Sequence, residues 1–281
     1  MTRLLISLLT LSLILIQTTV DVPAQDETKS IFADANLEQA VRKYVFAKRN
    51  NEEPLTVADV ENISTIVAKG QEIASLAGLE NCRSLALLDL ENNAISDLAP
   101  ISALANIQSL NVAANEVSDL KPIAELKALQ YLHLAGNKVS DLTPLTGLEN
   151  LRSLYLSSNQ IADTAPIAGL AKLWSLYLDG NQLQDIAPLA TLTRLSSLDL
   201  RKNQLSDLSA LSEMTELRYL LINDNKVVDL AVLVEMANKD AEGLKRFAPF
   251  WNIYLAGNPL AGKSRGQIRS LQKLGGRVHT E

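Results

Sequence analysis

LRSLYLSSNQI, residues 151–161, carries the reading that decides the fold. Leu151, Leu154, Leu156 and Ile161 frame a single buried-looking amide, Asn159. The same frame, L-x-x-L-x-L-x-x-N-x-L with Ile or Val allowed, recurs on both sides of it. Asn93, Asn115, Asn137, Asn159, Asn181, Asn203 and Asn225 follow one another at an unbroken spacing of 22 residues. A polar residue held in register over seven copies marks an array of near-identical turns. Such arrays make extended surfaces more readily than clefts for chemistry.

Within each copy the L-x-L ending alternates apolar and polar residues, the period of a short strand. Stacked copies pair these strands in parallel, about 4.8 Å apart, with the leucines inward. Each buried aliphatic side chain contributes roughly 1.5–3 kcal/mol, so a stack can offset an ordering entropy that one copy cannot. The asparagine falls where the chain leaves the strand. Its two donors and one acceptor suit backbone groups that would otherwise face the core unpaired. A second column comprises Asp97, Asp119, Asp141, Asp163, Asp185, Asp207 and Asp229, five of them three residues ahead of a proline. Aspartate there caps a short helical turn, and proline is tolerated in a first turn. This column belongs on the outer side. A calcium ladder is the alternative, but one carboxylate per turn is a sparse shell for that ion.

The chain has 281 residues, 47% of them hydrophobic, a net charge of −6 and a pI near 5.1. An acidic balance argues against nucleic acid and against anionic lipid. Two histidines and one cysteine leave almost nothing for a zinc site and allow no disulfide within the chain. Cys82 stands where later copies place Leu104, Leu126 and Leu148, and is expected in the core. No Ser–His–Asp pattern, catalytic carboxylate pair or H-E-x-x-H occurs, so no enzyme, cofactor or metal is implied.

Residues 1–24 are expected to form an export signal. Arg3 precedes an apolar run from Leu4 to Ile16, and Val22 and Ala24 place small residues before a cut at Gln25; the alternative is a retained anchor. Residues 25–62 are expected to form a helical N-terminal cap. In it Phe32 to Lys48 is helical, started by Asp34 or Asn36, with Leu37, Ala40, Val41, Tyr44 and Val45 on one face. A second short helix covers Val57 to Glu61. Residues 63–262 hold about nine repeats, beginning at Ile63 with Gln71 in the asparagine position. The last asparagine, Asn258, lies 33 residues after Asn225, which places an insertion at 230–250. Residues 263–281 form the C-terminal cap, with a helix over Lys263 to Leu274.

The frame resembles the leucine-rich repeat. The 22-residue period and the outer segment Ile95 to Ile101 resemble the short-repeat class, which includes bacterial internalins and regulatory subunits of phosphatases. Phe32 to Val60 resembles the helical cap of internalin-like proteins. Phe247 to Leu260, ending in G-N-P-L, resembles the closing repeats of exported bacterial proteins. The resemblance covers roughly 31–275. It implies an α/β solenoid: a leucine-rich-repeat horseshoe with a parallel, concave β-sheet, short 3₁₀ turns or loops on the convex side, and a helical N-terminal cap. Unlike internalin-type adhesins that carry further domains and a wall-sorting tail, this chain ends soon after its last repeat.

If the sheet is concave and open, its outward positions can be read off. Five of the six tyrosines, all but Tyr44, fall on them. Both tryptophans, Trp174 and Trp251, fall at the leading edge of a strand. Tyr131, His133, Tyr155, Trp174, Tyr177, Asp199 and Tyr219 are the candidate partner-binding residues, since Tyr and Trp are common anchors of protein interfaces. The competing reading is that aromatics on a sheet merely pack against cross-strand neighbours. The expectation is an exported, non-catalytic, monomeric module that binds a protein partner on its concave face. The alternatives are a carbohydrate- or peptidoglycan-binding module of the envelope and an intracellular, phosphatase-type regulatory subunit.

Overall fold

The structure, a computed structural model, describes residues 29–246 and 248–281. The expected export signal at 1–24, and the first residues of the expected cap, lie outside them.

Ten three-residue strands form one parallel sheet in sequence order. They are β1 (Thr65–Val67), β2 (Leu87–Asp89), β3 (Ser109–Asn111), β4 (Tyr131–His133), β5 (Ser153–Tyr155), β6 (Ser175–Tyr177), β7 (Ser197–Asp199), β8 (Tyr219–Leu221), β9 (Asn252–Tyr254) and β10 (Arg277–His279). From β1 to β8 the register advances by the repeat itself: Leu88 pairs with Leu110, Leu110 with Leu132, Leu132 with Leu154. From β2 to β8 the middle leucine of each strand is fully buried, as are the leading and third aliphatic residues of the frame. One continuous aliphatic core thus runs the length of the array. Cys82 sits in it, and burial first, then the Glu80 carboxylate, pushes its thiol up to about 12.

The asparagines close this core from one side. Asn159 donates from Nδ2 to the carbonyls of Leu134 (2.9 Å), Leu156 (3.0 Å) and Ser157 (3.2 Å), and its Oδ1 accepts the N–H of Val139 at 2.9 Å. Leu134 and Val139 belong to the preceding coil, so each amide joins its coil to the one before. That explains Gln71. The first coil has no predecessor, and the Gln71 amide turns to its own coil instead, donating to the Lys69 carbonyl at 3.1 Å. Asn258 makes the same bonds across the insertion, to Ile222 O and from Val227 N. The residue ahead of each amide adopts a left-handed backbone; examples are Ala114 (φ 52), Gly136 (φ 68), Ser158 (φ 55) and Gly180 (φ 66).

On the outer side each aspartate accepts the N–H two residues on. Asp163, for instance, takes Ala165 N at 2.8 Å, and the chain then makes one turn of 3₁₀ helix, Ala165–Ile167. In the insertion this turn is replaced by a longer helix. We label the helices α1 (Ala35–Arg42), α2 (Val57–Val60), α3 (Ala231–Glu242) and α4 (Ser264–Lys273); α3 is the inserted one.

α1 is shorter than the apolar pattern over Phe32 to Lys48 suggests. After Arg42 the chain enters turns pinned by the Arg42 guanidinium, whose Nη1 donates to the carbonyls of Lys48 and Asn51. The turns carry Tyr44 to the outer edge of β1, where its hydroxyl accepts the Val67 N–H at 2.9 Å. Asp34 caps α1 with one oxygen, toward Asn36 and Leu37, and with the other accepts the N–H groups of Ala74 and Ser75 in the first coil. Partial burial alone would raise its pKa, but these four bonds outweigh it and hold the carboxyl below its ordinary value. At the other end α4 leads into β10, which pairs with β9. This tenth strand was not read from the sequence.

Candidate functional site

The regular register determines what the open face of the sheet presents. His133, Tyr155 and Tyr177 are direct cross-strand neighbours on β4, β5 and β6. Their rings meet: His133 to Tyr155 at 4.8 Å between centroids, Tyr155 to Tyr177 at 4.7 Å and nearly coplanar at 11°. Tyr131 closes on Tyr155 at 5.4 Å and stands edge-on to His133 at 6.2 Å. Four of the candidate side chains therefore form one contiguous ridge. It is half-buried, because each ring covers part of the next. Beside it Ala135 and Ser157 take up little height, and the Ser157 hydroxyl donates to Asp179.

Burial governs the protonation of the ridge. It lowers the pKa of His133, outweighing the opposite pull of Glu91 and Asp89, so the imidazole is neutral at pH 7. It also raises the phenols of Tyr131 and Tyr155. The ridge is an uncharged, amphipathic surface.

Its neighbours on either side are charged but internally paired. Toward the N-terminus Lys69 bridges Asp89 (3.0 Å) and Glu91 (2.8 Å), and Asn111 Nδ2 donates to both carboxylates. The Lys69 ammonium is the main cause of the lowered pKa of Glu91. Toward the C-terminus Asp199 departs from expectation. It is only 1% exposed, and Arg201 lies on it with Nε and Nη2 donating to its two oxygens. What β7 shows to solvent is therefore the guanidinium, with the carboxylate beneath as its support. A charged residue followed two positions later by its counter-ion on one strand face was the available signal.

Tyr219 is exposed but stands four strands from the Tyr131 ring, outside the ridge. The two tryptophans part company. Trp174 is 65% exposed, whereas Trp251, in the same frame position of the last coil, is 0% exposed. Lys172 and Arg194, which the sequence reading did not single out, line a hollow with Trp174. Among the described residues no group of three His, Cys, Asp or Glu side chains could hold a metal ion. No helix among them is long and apolar enough to cross a membrane.

The sequence matches the family model described as Leucine Rich repeats (2 copies) in four overlapping windows, residues 105–147, 127–172, 149–191 and 172–213. Among solved structures it is similar to internalin C2 of Listeria monocytogenes: 34% identity, TM-score 0.70, 74% of this chain and 92% of that one covered. The chain is an internalin-like leucine-rich-repeat protein. A second internalin of Listeria monocytogenes aligns at 24% identity and TM-score 0.50, over 89% of this chain and 91% of that one. A leucine-rich-repeat protein of Leptospira interrogans aligns at 20% and 0.64, over 80% and 62%. These two share the fold with the internalin-like array. A search of curated protein sequences finds no match. Leucine-rich-repeat domains are generally non-enzymatic protein-interaction modules, which accords with the open sheet and its solvent-facing ridge.

Proposed function

We propose that this internalin-like array is exported and binds a protein partner on the open face of its sheet, through Tyr131, His133, Tyr155 and Tyr177, with Trp174 at the rim. The observation that carries the reading is the contiguity of the ridge. Four uncharged rings on adjacent strands, centroids 4.7–6.2 Å apart, make a preorganised platform on a rigid support. Tyrosine and histidine rings held by one another lose little rotamer freedom on binding. The paired charges on both sides suit a polar rim around an aromatic centre.

A sugar-binding platform fits less well. Stacking against a sugar needs an open ring face, and Tyr155 and Tyr177 turn faces toward each other. Export rests on the apolar run from Leu4 to Ile16 and on the likeness to internalins; N-terminal sequencing of the mature protein tests it, with a start near Gln25 expected and an intact Met1 against it.

Binding is tested by placing a photo-crosslinking residue at Ser153, beside the ridge, or at Gln160, away from it. The expected outcome is a discrete protein adduct from Ser153 only, abolished by Tyr155→Ala plus Tyr177→Ala with an unchanged melting curve. Adduct formation that survives the double substitution would remove the ridge from the interface.

A further inference from the structure

The sheet has a second feature outside the ridge. Where the chain enters β6, β7 and β8, an open hollow of about 280 Å³ is lined by Lys172, Trp174, Arg194, Ser196, Glu216 and Arg218. Three cations from three consecutive coils converge here in a chain whose net charge is −6. Glu216 is engaged by Arg246 at 2.8 Å, and Lys172 Nζ donates to Asn150 Oδ1 at 2.7 Å. The guanidiniums of Arg194 and Arg218 have no ion-pair or side-chain hydrogen-bond partner among the described residues. Two unengaged guanidinium forks stand beside an indole that is 65% exposed.

That combination selects a ligand chemistry. The planar fork of arginine matches a carboxylate with two parallel hydrogen bonds. An indole offers apolar surface to the methylenes of Asp or Glu and to flat peptide groups. The two forks stand on separate coils, so carboxylates spaced along a peptide can reach both, whereas a phosphate offers a single anionic centre. The acidic remainder of the chain opposes a long polyanion, whereas a short acidic stretch meets only the local cations. The hollow also lies near the ridge. Trp174 precedes Tyr177 by three residues in one extended run, so the two lie about 10 Å apart.

We propose that Lys172, Trp174, Arg194 and Arg218 form a pocket for a carboxylate-rich peptide segment, the acidic portion of the protein partner that lies across the ridge. The proposal rests on the reading of the ridge as a protein-binding surface, but the pocket can be tested without it.

The test uses tetraglutamate with blocked ends as the probe and tryptophan emission as the readout. Trp251 is buried, so a change on adding the peptide reports Trp174. A saturable change is expected, weakened by about 0.5 M salt because the cations are exposed. Blocked tetralysine and inorganic phosphate should give none at the same concentration. Arg194→Gln plus Arg218→Gln should weaken tetraglutamate binding roughly tenfold or more, with far-UV dichroism and melting temperature unchanged. If that pair does not fold, Arg194→Gln alone gives a smaller loss of the same sign. Tyr155→Ala plus Tyr177→Ala should leave tetraglutamate binding intact while losing the partner adduct, so the two readings fail separately. No saturable change, equal binding by the glutamine variant, or an equal response to phosphate would overturn the proposal.

Discussion

Two columns of side chains run the length of the array, seven asparagines on the inside and seven aspartates on the outside, and they hold it together differently. Both repeat every 22 residues, and both place an oxygen on a backbone N–H. The asparagine reaches into the preceding coil, as Asn159 does to Leu134 O and Val139 N. The aspartate reaches two residues along its own coil, as Asp163 does to Ala165 N. From Asn115 to Asn225 the amides are about as buried as the core, Asn159 being 8% exposed, while the outer carboxylates face water. One column couples coils; the other shapes each coil. Equal regularity in sequence therefore conceals unequal energetic weight.

The comparison can be broken most forcefully from the inside. Asn159→Ala leaves three carbonyls and the Val139 N–H without the amide, and burial makes that costly. A loss of about 2–3 kcal/mol is expected in urea unfolding. A loss below that of the matching outer substitution would mean that water replaces the amide and that the ladder is not the coupling element.

A smaller effect is expected at the left-handed residue ahead of each amide. At Gly136 (φ 68) an added Cβ would meet only ordinary contacts, the nearest at 3.5 Å on Ala114. Gly136→Ala should therefore cost about 1 kcal/mol through backbone conformation alone. Ala114→Gly, at the same position one coil earlier, should lose that strain and melt higher; a drop in its melting temperature would contradict the assignment. Outside, Asp163→Ala should cost about 0.5–1 kcal/mol, the scale of a helix cap.

The finest distinction comes from pH. The Ser209 N–H, and then its hydroxyl, hold the Asp207 carboxyl below its ordinary value. A carboxylate depressed in the folded state stabilises fully above its unfolded pKa, about 4, and loses that contribution as pH falls through the lower folded value. The deficit of Asp207→Ala relative to the parent should thus be full at neutral pH and shrink below about pH 4. The deficit of Asn203→Ala, in the same coil, should stay constant because an amide does not titrate. Urea midpoints at both pH values compare them; a parallel decline would show that acid acts elsewhere.

Most of the fold was legible because the frame names its own periods: apolar alternation gives strands, the amide marks the exit, and Asp with Pro marks the outer turn. Cys82 in the core followed from the same logic, whereas the cap of α1 was narrowed only to Asp34 or Asn36, and Asp34 takes it. β10 was not legible. Arg277–His279 is three residues without the leucine frame, and its strand character comes from the open edge of β9. The burial of Trp251 beside the exposure of Trp174 was also hidden, because both occupy the same frame position and only the elements packed around the last coil separate them. Along the open face the ring columns could be placed by register. That Asp199 lies under Arg201 could not, because the sequence fixes a side chain's face and not its height.

The backward reach of each inner amide has a consequence for how long such a chain can be. A unit of 22 residues brings its own link to whatever stands before it and offers the same acceptors to whatever comes after. Copying one internal unit would close without a seam, widening the platform by one interstrand step, about 4.8 Å. Array length is then a quantity that recombination can adjust freely, and fitting a larger or smaller ligand needs no new solution to folding.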